Sequence, residues 1–167
     1  FVDVAETPEQ LRTRLTGVGL AVDAIDSAGD DLIYELDVAT NRPDCLGHVG
    51  VAREVAAIYG NSIRMPTFEL REVEKRAADA FSISIEDQEQ CARYCGRYIE
   101  GVKIGPSPAW LTKRLEALGV RSINNVADVT NYVMLELSQP LHAFDADTLA
   151  KRQIIVRSAR LNEKLTT

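Results

Sequence analysis

Apolar residues recur at Leu32, Tyr34, Leu36 and Val38, every second position, and that period predicts a strand with one face buried. Leu20 to Ile25 reads as a strand before it, the two joined by the polar turn Ser27-Ala28-Gly29-Asp30-Asp31. Upstream, Leu11, Leu15 and Val18 recur at helical spacing. Thr7-Pro8-Glu9-Gln10 supplies a capping hydroxyl, a first-turn proline and the glutamine of a capping box, and Gly17 or Gly19 ends the helix. The polar turn Thr40-Asn41-Arg42-Pro43-Asp44 precedes a second helix over about Leu46 to Tyr59. Its inner side holds Val49, Ala52, Val55, Ala56 and Tyr59, and Gly60 lies beyond its end.

The pattern then lapses. Asn61 to Pro66 reads as a linker, and Arg71 to Asp79 as a charged connector or a solvated helix. Alternation returns at Phe81, Ile83 and Ile85, and a longer strand is expected through Tyr94, Gly96, Tyr98 and Glu100 to about Val102. Ser107-Pro108 reads as a cap and proline opening a helix with Trp110, Leu111, Arg114, Leu115 and Leu118, stopped by Gly119. Another helix is expected over about 126–135 and a late strand at Ile154-Ile155-Val156. The pattern divides the chain into a small α+β unit (1–60), a charged connector (61–80) and a second unit (81–167).

Polar chemistry is densest in Ser122 to Asp145, SINNVADVTNYVMLELSQPLHAFD. Arg121, Asn124, Asn125, Asp128, Thr130, Asn131, Gln139, His142 and Asp145 are interleaved with apolar residues that can hold them still. On a helix Thr130 and Asn131 project about 100° apart, and the asparagines before it sit where amides cap and bridge turns. Pro140 restricts Gln139 and opens a loop that can lay His142 against the Thr130 and Asn131 face. An imidazole is a candidate base at cellular pH. Two readings stay open: a preformed pocket for a polar ligand, or a polar network that fastens loop to helix.

The turn Asn41-Arg42-Pro43-Asp44 also divides two ways. Asp44 can cap the coming helix, and the Arg42 fork can clasp a carboxylate, clamping two elements, or an RNA phosphate. His48 reads as a packing or hydrogen-bonding residue, and Cys91 with Cys95 makes only a weak pair, so no metal is expected.

The formal charge of −6 over 167 residues argues against gripping nucleic acid mainly through its backbone. Three scattered cysteines suit a reducing, cytoplasmic compartment, and no apolar run is long enough for a membrane span. Phe1 is not an initiator methionine, so the sequence reads as a piece of something larger.

RYCGRYIEGVKIGPSPAWLTKRLEALGVRSINNVADVTNYVMLELSQPLHAFD closely resembles the editing-module region of bacterial phenylalanine–tRNA ligase β subunits. ELDVATNRPDCLGHVGVAREVAAIYG is similar to the small unit preceding that module, and TPEQLRTRLTGVGLAVDAID to the first half of the same unit. Most bacterial members insert an oligonucleotide-binding barrel between those halves. Here only Ser27 to Asp31 joins them.

The resemblance implies an α+β fold: a small two-layer unit, then the first part of a layered β/β/α editing module with a mixed sheet. It implies a subunit that works with an α subunit to attach phenylalanine to its tRNA, the α subunit binding ATP and magnesium and this piece binding no cofactor. The editing module hydrolyses tyrosine wrongly attached to that tRNA. By carry-over, Thr130 and Asn131 of VTNY and His142 of PLHAFD line the editing pocket. The family module continues with further strands, a glycine-rich stretch and a glutamate that the 167 residues do not contain, so the piece alone is expected to be inactive. A partner-completed hydrolase of misacylated tRNA and a subunit-interaction module without chemistry are the competing classes.

Overall fold

Thr7 starts the first helix through a reciprocal pair of bonds: its hydroxyl accepts from the Gln10 N–H, and Gln10 Oε1 accepts from the Thr7 N–H at 2.9 Å. Such a cap contributes about 1 kcal/mol. In the computed structural model, which describes residues 1–164, helix α1 spans Pro8–Gly17. Gly19 follows at φ 89°, a conformation that side chains disfavour, and turns the chain into the sheet.

Strands β1 (Ala21–Ala28) and β2 (Asp31–Asp37) form an antiparallel pair. The five-residue turn expected from sequence is tighter in fact. Both strands run into it, pairing Ala28 with Asp31 and leaving Gly29 and Asp30 as the loop. Gly29 alone takes the positive φ of 69°, the glycine-first pattern of a two-residue hairpin turn.

After β2 the chain makes a single 3-10 turn, Pro43–Leu46, before helix α2 (His48–Tyr59) begins. The sequence-based start at Leu46 merged these two pieces. Gly60 ends α2 in the left-handed conformation. Leu15 of α1, Leu20, Val22 of β1, Cys45 and Val55 of α2 form one buried cluster, with Leu11, Ile25, Tyr34, Leu36, Ile58 and Tyr59 packed around it. Helix and sheet periods converge there. Fully burying a leucine stabilises the fold by roughly 1.5–3 kcal/mol.

Helices α3 (Ala109–Ala117) and α4 (Asn125–Leu137) pack on each other, and α4 also packs on α2. Leu111 and Leu115 are the buried face of α3. Residues Phe1–Phe68 and Ile104–Ala143 together make one compact unit, so the α3–α4 pair groups with the helix-and-hairpin layer. That grouping cuts the chain at other points than its hydrophobic pattern does.

The second compact unit comprises Glu69–Lys103 and the described residues from Phe144 onward. Its sheet is β3 (Ser82–Ile85) beside β4 (Gln153–Val156), in parallel register from Ser82↔Gln153 to Ile85↔Val156. The strand expected through Tyr94 to Val102 does not form. An extended segment needs a neighbour for its backbone groups; this one packs by side chains instead. A Cβ on Gly96 would lie 2.7 Å from the Phe81 ring and 2.9 Å from Ile83 Cδ1, and Tyr98 meets Phe81 at 6.4 Å between ring centres. Among the described residues the sheet of this unit is therefore a parallel pair rather than the mixed sheet expected. The charged stretch before it is irregular apart from one 3-10 turn, Ala77–Asp79. The chain as a whole is α+β.

Candidate functional site

Helix α4 is built to be held at its N-terminus. Asn124 caps it, Oδ1 accepting from the N–H groups of Val126 and Ala127 at 3.0 Å each. Asn125 brackets Gly105: its N–H donates to the Gly105 carbonyl and its Oδ1 accepts from the Gly105 N–H. One turn on, Asp128 is 0% exposed, the one charged side chain buried among the described residues. It accepts from Ser107 Oγ at 2.5 Å, Ser122 Oγ at 2.5 Å and the Ile123 N–H at 2.9 Å. The Ser107 and Ser122 hydroxyls, then the Ile123 amide, hold its carboxyl below the usual carboxylate range. Three donors replace the water a buried carboxylate loses. Ser107 therefore does not cap α3, as the sequence suggested; Pro108 occupies that position and the hydroxyl serves Asp128.

Half a turn further, Thr130 and Asn131 are half-buried. The Thr130 hydroxyl donates to the Ala127 carbonyl at 2.7 Å, which fixes its rotamer and spends its proton, leaving the oxygen able to accept. Beyond α4, Ser138 closes the helix in the left-handed region, and the loop runs through Gln139 and Pro140 to an exposed His142. Gln139 Nε2 donates to the Pro140 carbonyl. Arg121 is exposed and joins none of these bonds. Asp145 belongs to the other compact unit, where it caps a local turn by accepting from the Asp147 N–H.

The turn before α2 makes a second constellation. Arg42 Nε and Nη2 donate to the two oxygens of Asp44 at 3.0 and 2.8 Å, and Nη2 also reaches Glu54 Oε1 at 2.7 Å and Cys45 Sγ at 2.9 Å. Asp44, then Glu54, raise the guanidinium above its ordinary value. In return Arg42 lowers the Asp44 carboxyl to about 2. Burial, then the Asp44 carboxylate, lift the Cys45 thiol to about 11, so it stays protonated. Asp44, Cys45 and Glu54 have the donor types and closeness of a metal site, but the Arg42 guanidinium takes the position a cation would fill. Asp44 is thus not the helix cap the sequence suggested: Gly47 is, without a side-chain cap bond, because the intervening 3-10 turn carries Asp44 out of reach. Asn41 is exposed beside it.

The two constellations meet at the end of α4. His48 Nδ1 donates to the Leu135 carbonyl at 2.9 Å, and Ser138 Oγ donates to the Asp44 carbonyl at 3.1 Å. Glu54, Ser107, Ser122 and Ser138 were not singled out as site residues from sequence; serines and glutamates are too common on surfaces for their identity to signal a role. In the other unit an open groove of about 470 Å³ is lined by Asp87, Gln90, Cys91, Val156, Arg157 and Ser158. Two of its charged groups are already engaged, Asp87 by the Ser158 hydroxyl and Arg157 by Glu163.

Residues 90–167 match the B3/4 domain family. A phenylalanine–tRNA ligase β subunit of Anaeromyxobacter dehalogenans is 55% identical over 152 residues, 91% of this chain and 18% of the relative. That of Bdellovibrio bacteriovorus is 50% identical over 83% of this chain and 17% of the relative. The Rhodopirellula baltica subunit is 42% identical over 99% of this chain and 24% of its own length. The chain thus spans roughly a fifth of the length of these curated relatives. Over nearly all of its length, both constellations included, the chain is thus similar to one part of the phenylalanine–tRNA ligase β subunits.

Proposed function

We propose that this chain is the part of a phenylalanine–tRNA ligase β subunit that presents the editing helix, and that Thr130, Asn131 and His142 line the pocket hydrolysing tyrosyl-tRNA. In the assembled enzyme an α subunit binds ATP, magnesium and phenylalanine and joins the amino acid to its tRNA in the cytoplasm. The present residues supply neither that site nor a complete editing pocket, so the chain alone does not turn over. Among the described residues no helix is long and apolar enough to cross a membrane.

The observation that carries this reading is the fixing of α4. Asn124, Asn125 and Asp128 spend their hydrogen-bonding capacity on structure, which leaves the half-buried carboxamide of Asn131 and the lone pairs of Thr130 as the adaptable polar groups of the helix. The polar groups of α4 and its cap thus divide into holders, Asn124, Asn125 and Asp128, and presenters, Thr130 and Asn131. Tyrosine and phenylalanine differ by one hydroxyl, and a second site that binds that hydroxyl can discriminate where the synthetic site leaks. His142, as a base or a water-positioning group, completes the chemistry.

The test is hydrolysis of tyrosyl-tRNA by the assembled enzyme carrying His142→Ala. Loss of hydrolysis by tenfold or more, with phenylalanine charging within twofold of wild type, supports the reading. Equal loss of both activities overturns it, as does rapid hydrolysis by the 167-residue chain alone.

A further inference from the structure

We infer that the Gly47–His48 turn is a positioning device for the editing loop, which rests on the reading of Thr130, Asn131 and His142 given above. Three features of the end of α4 support it. Ser138 sits at φ 57°, a left-handed conformation that a residue with a Cβ adopts at a cost. Its hydroxyl bond to the Asp44 carbonyl and its N–H bond to Met134 hold it there. Second, a Cβ on Gly47 would lie 2.5 Å from Ser138 Oγ, 2.7 Å from Ser138 N and 3.0 Å from the Leu135 carbonyl oxygen. Two of those three atoms are backbone and cannot rotate aside. Third, His48 Nδ1 satisfies the Leu135 carbonyl, one of the acceptors left without an intrahelical partner at a helix C-terminus.

The turn therefore holds the α4 terminus by two side-chain hydrogen bonds to backbone carbonyls and one close backbone approach, and the grip ends four residues before His142. Thr130 and Asn131 are fixed from the other end of the same helix by Asn124 and Asp128. The relation between the imidazole and the two presenting side chains is then set by where Ser138 releases the chain. Shifting that point by a side chain's width displaces the base from the bound ester, and displacements of about 1 Å are enough to cost on the order of 100-fold in rate. Gly47, His48 and Ser138 touch no substrate; they act through the loop.

The experiment compares Gly47→Ala, His48→Ala and His48→Gln in the assembled α and β subunits, with Val55→Ala as a core-weakened control. Gly47→Ala should lower kcat for tyrosyl-tRNA hydrolysis at least tenfold, with KM and phenylalanine charging within twofold. His48→Ala should lower it several-fold, and His48→Gln, which keeps a donor, should recover most of the loss. Val55→Ala should lower thermal stability while leaving hydrolysis per folded molecule unchanged. Retained hydrolysis in Gly47→Ala, or a loss in Val55→Ala equal to that in Gly47→Ala, overturns the inference. Should His142→Ala itself hydrolyse normally, the editing assignment fails instead, and the two failures are told apart in one set of assays.

Discussion

Asp44 and Asp128 are both carboxylates at the start of a helical turn, but one is held by charge and the other without any. Asp44 faces a guanidinium that also serves Glu54, at a site half open to solvent. Asp128 is sealed from water and met by two hydroxyls and an amide, with no cation among its bonds. The first arrangement is adjustable, because long side chains and solvent can redistribute. The second is rigid: short side chains and backbone leave the carboxylate one geometry. A site that must present Thr130 and Asn131 in a fixed direction is better founded on the second.

That contrast can be broken in two ways. The larger effect is expected for Asp128→Asn, which keeps the shape but turns an amide donor toward three donors. Unpaired buried groups of this kind lower the thermal midpoint by on the order of 10 °C. Because its folded carboxyl is depressed below the ordinary 3.8, Asp128 contributes fully above that value and loses its contribution as pH falls through the folded one. The deficit of Asp128→Asn should accordingly shrink in urea titrations carried below pH 3.8. A deficit constant down to acid unfolding would show that the carboxylate is not what the pocket recognises.

A smaller effect is expected for Arg42→Met. Its destabilisation should fall by about half or more when salt rises from roughly 0.1 to 1 M, since that change contracts the screening length from ~10 to ~3 Å. The deficit of Asp128→Asn should not move over the same range. Equal salt dependence would erase the distinction between the two anchors.

How far the sequence disclosed all this depended on the range of the interactions. The capping box at Thr7, the helix of Leu11 and Leu15, the strand pair and the cap at Asn124 involve partners within a few residues, and all are visible as spacing. The bonds of Ser107 to Asp128 and of Ser138 to Asp44 span 21 and 94 residues. Nothing in local pattern distinguishes such serines from caps or surface residues. The missing strand at Tyr94–Val102 failed for the opposite reason: its alternation was real, but pairing depends on a neighbour that local pattern does not reveal. Thr130, Asn131 and His142 came from motif likeness. Their spacing alone left pocket and fastening network equally open, and the structure adds the bonds by which Asn124, Asn125 and Asp128 hold α4.

The most direct measurement is the affinity of the assembled enzyme for a non-hydrolysable tyrosyl-adenosine mimic of the charged tRNA end, with the synthetic site blocked by a saturating phenylalanyl-adenylate analogue. Wild type is predicted to bind it at least tenfold more tightly than the combined Thr130→Ala, Asn131→Ala and His142→Ala variant. Equal affinities would contradict the assignment of these three side chains to the editing pocket.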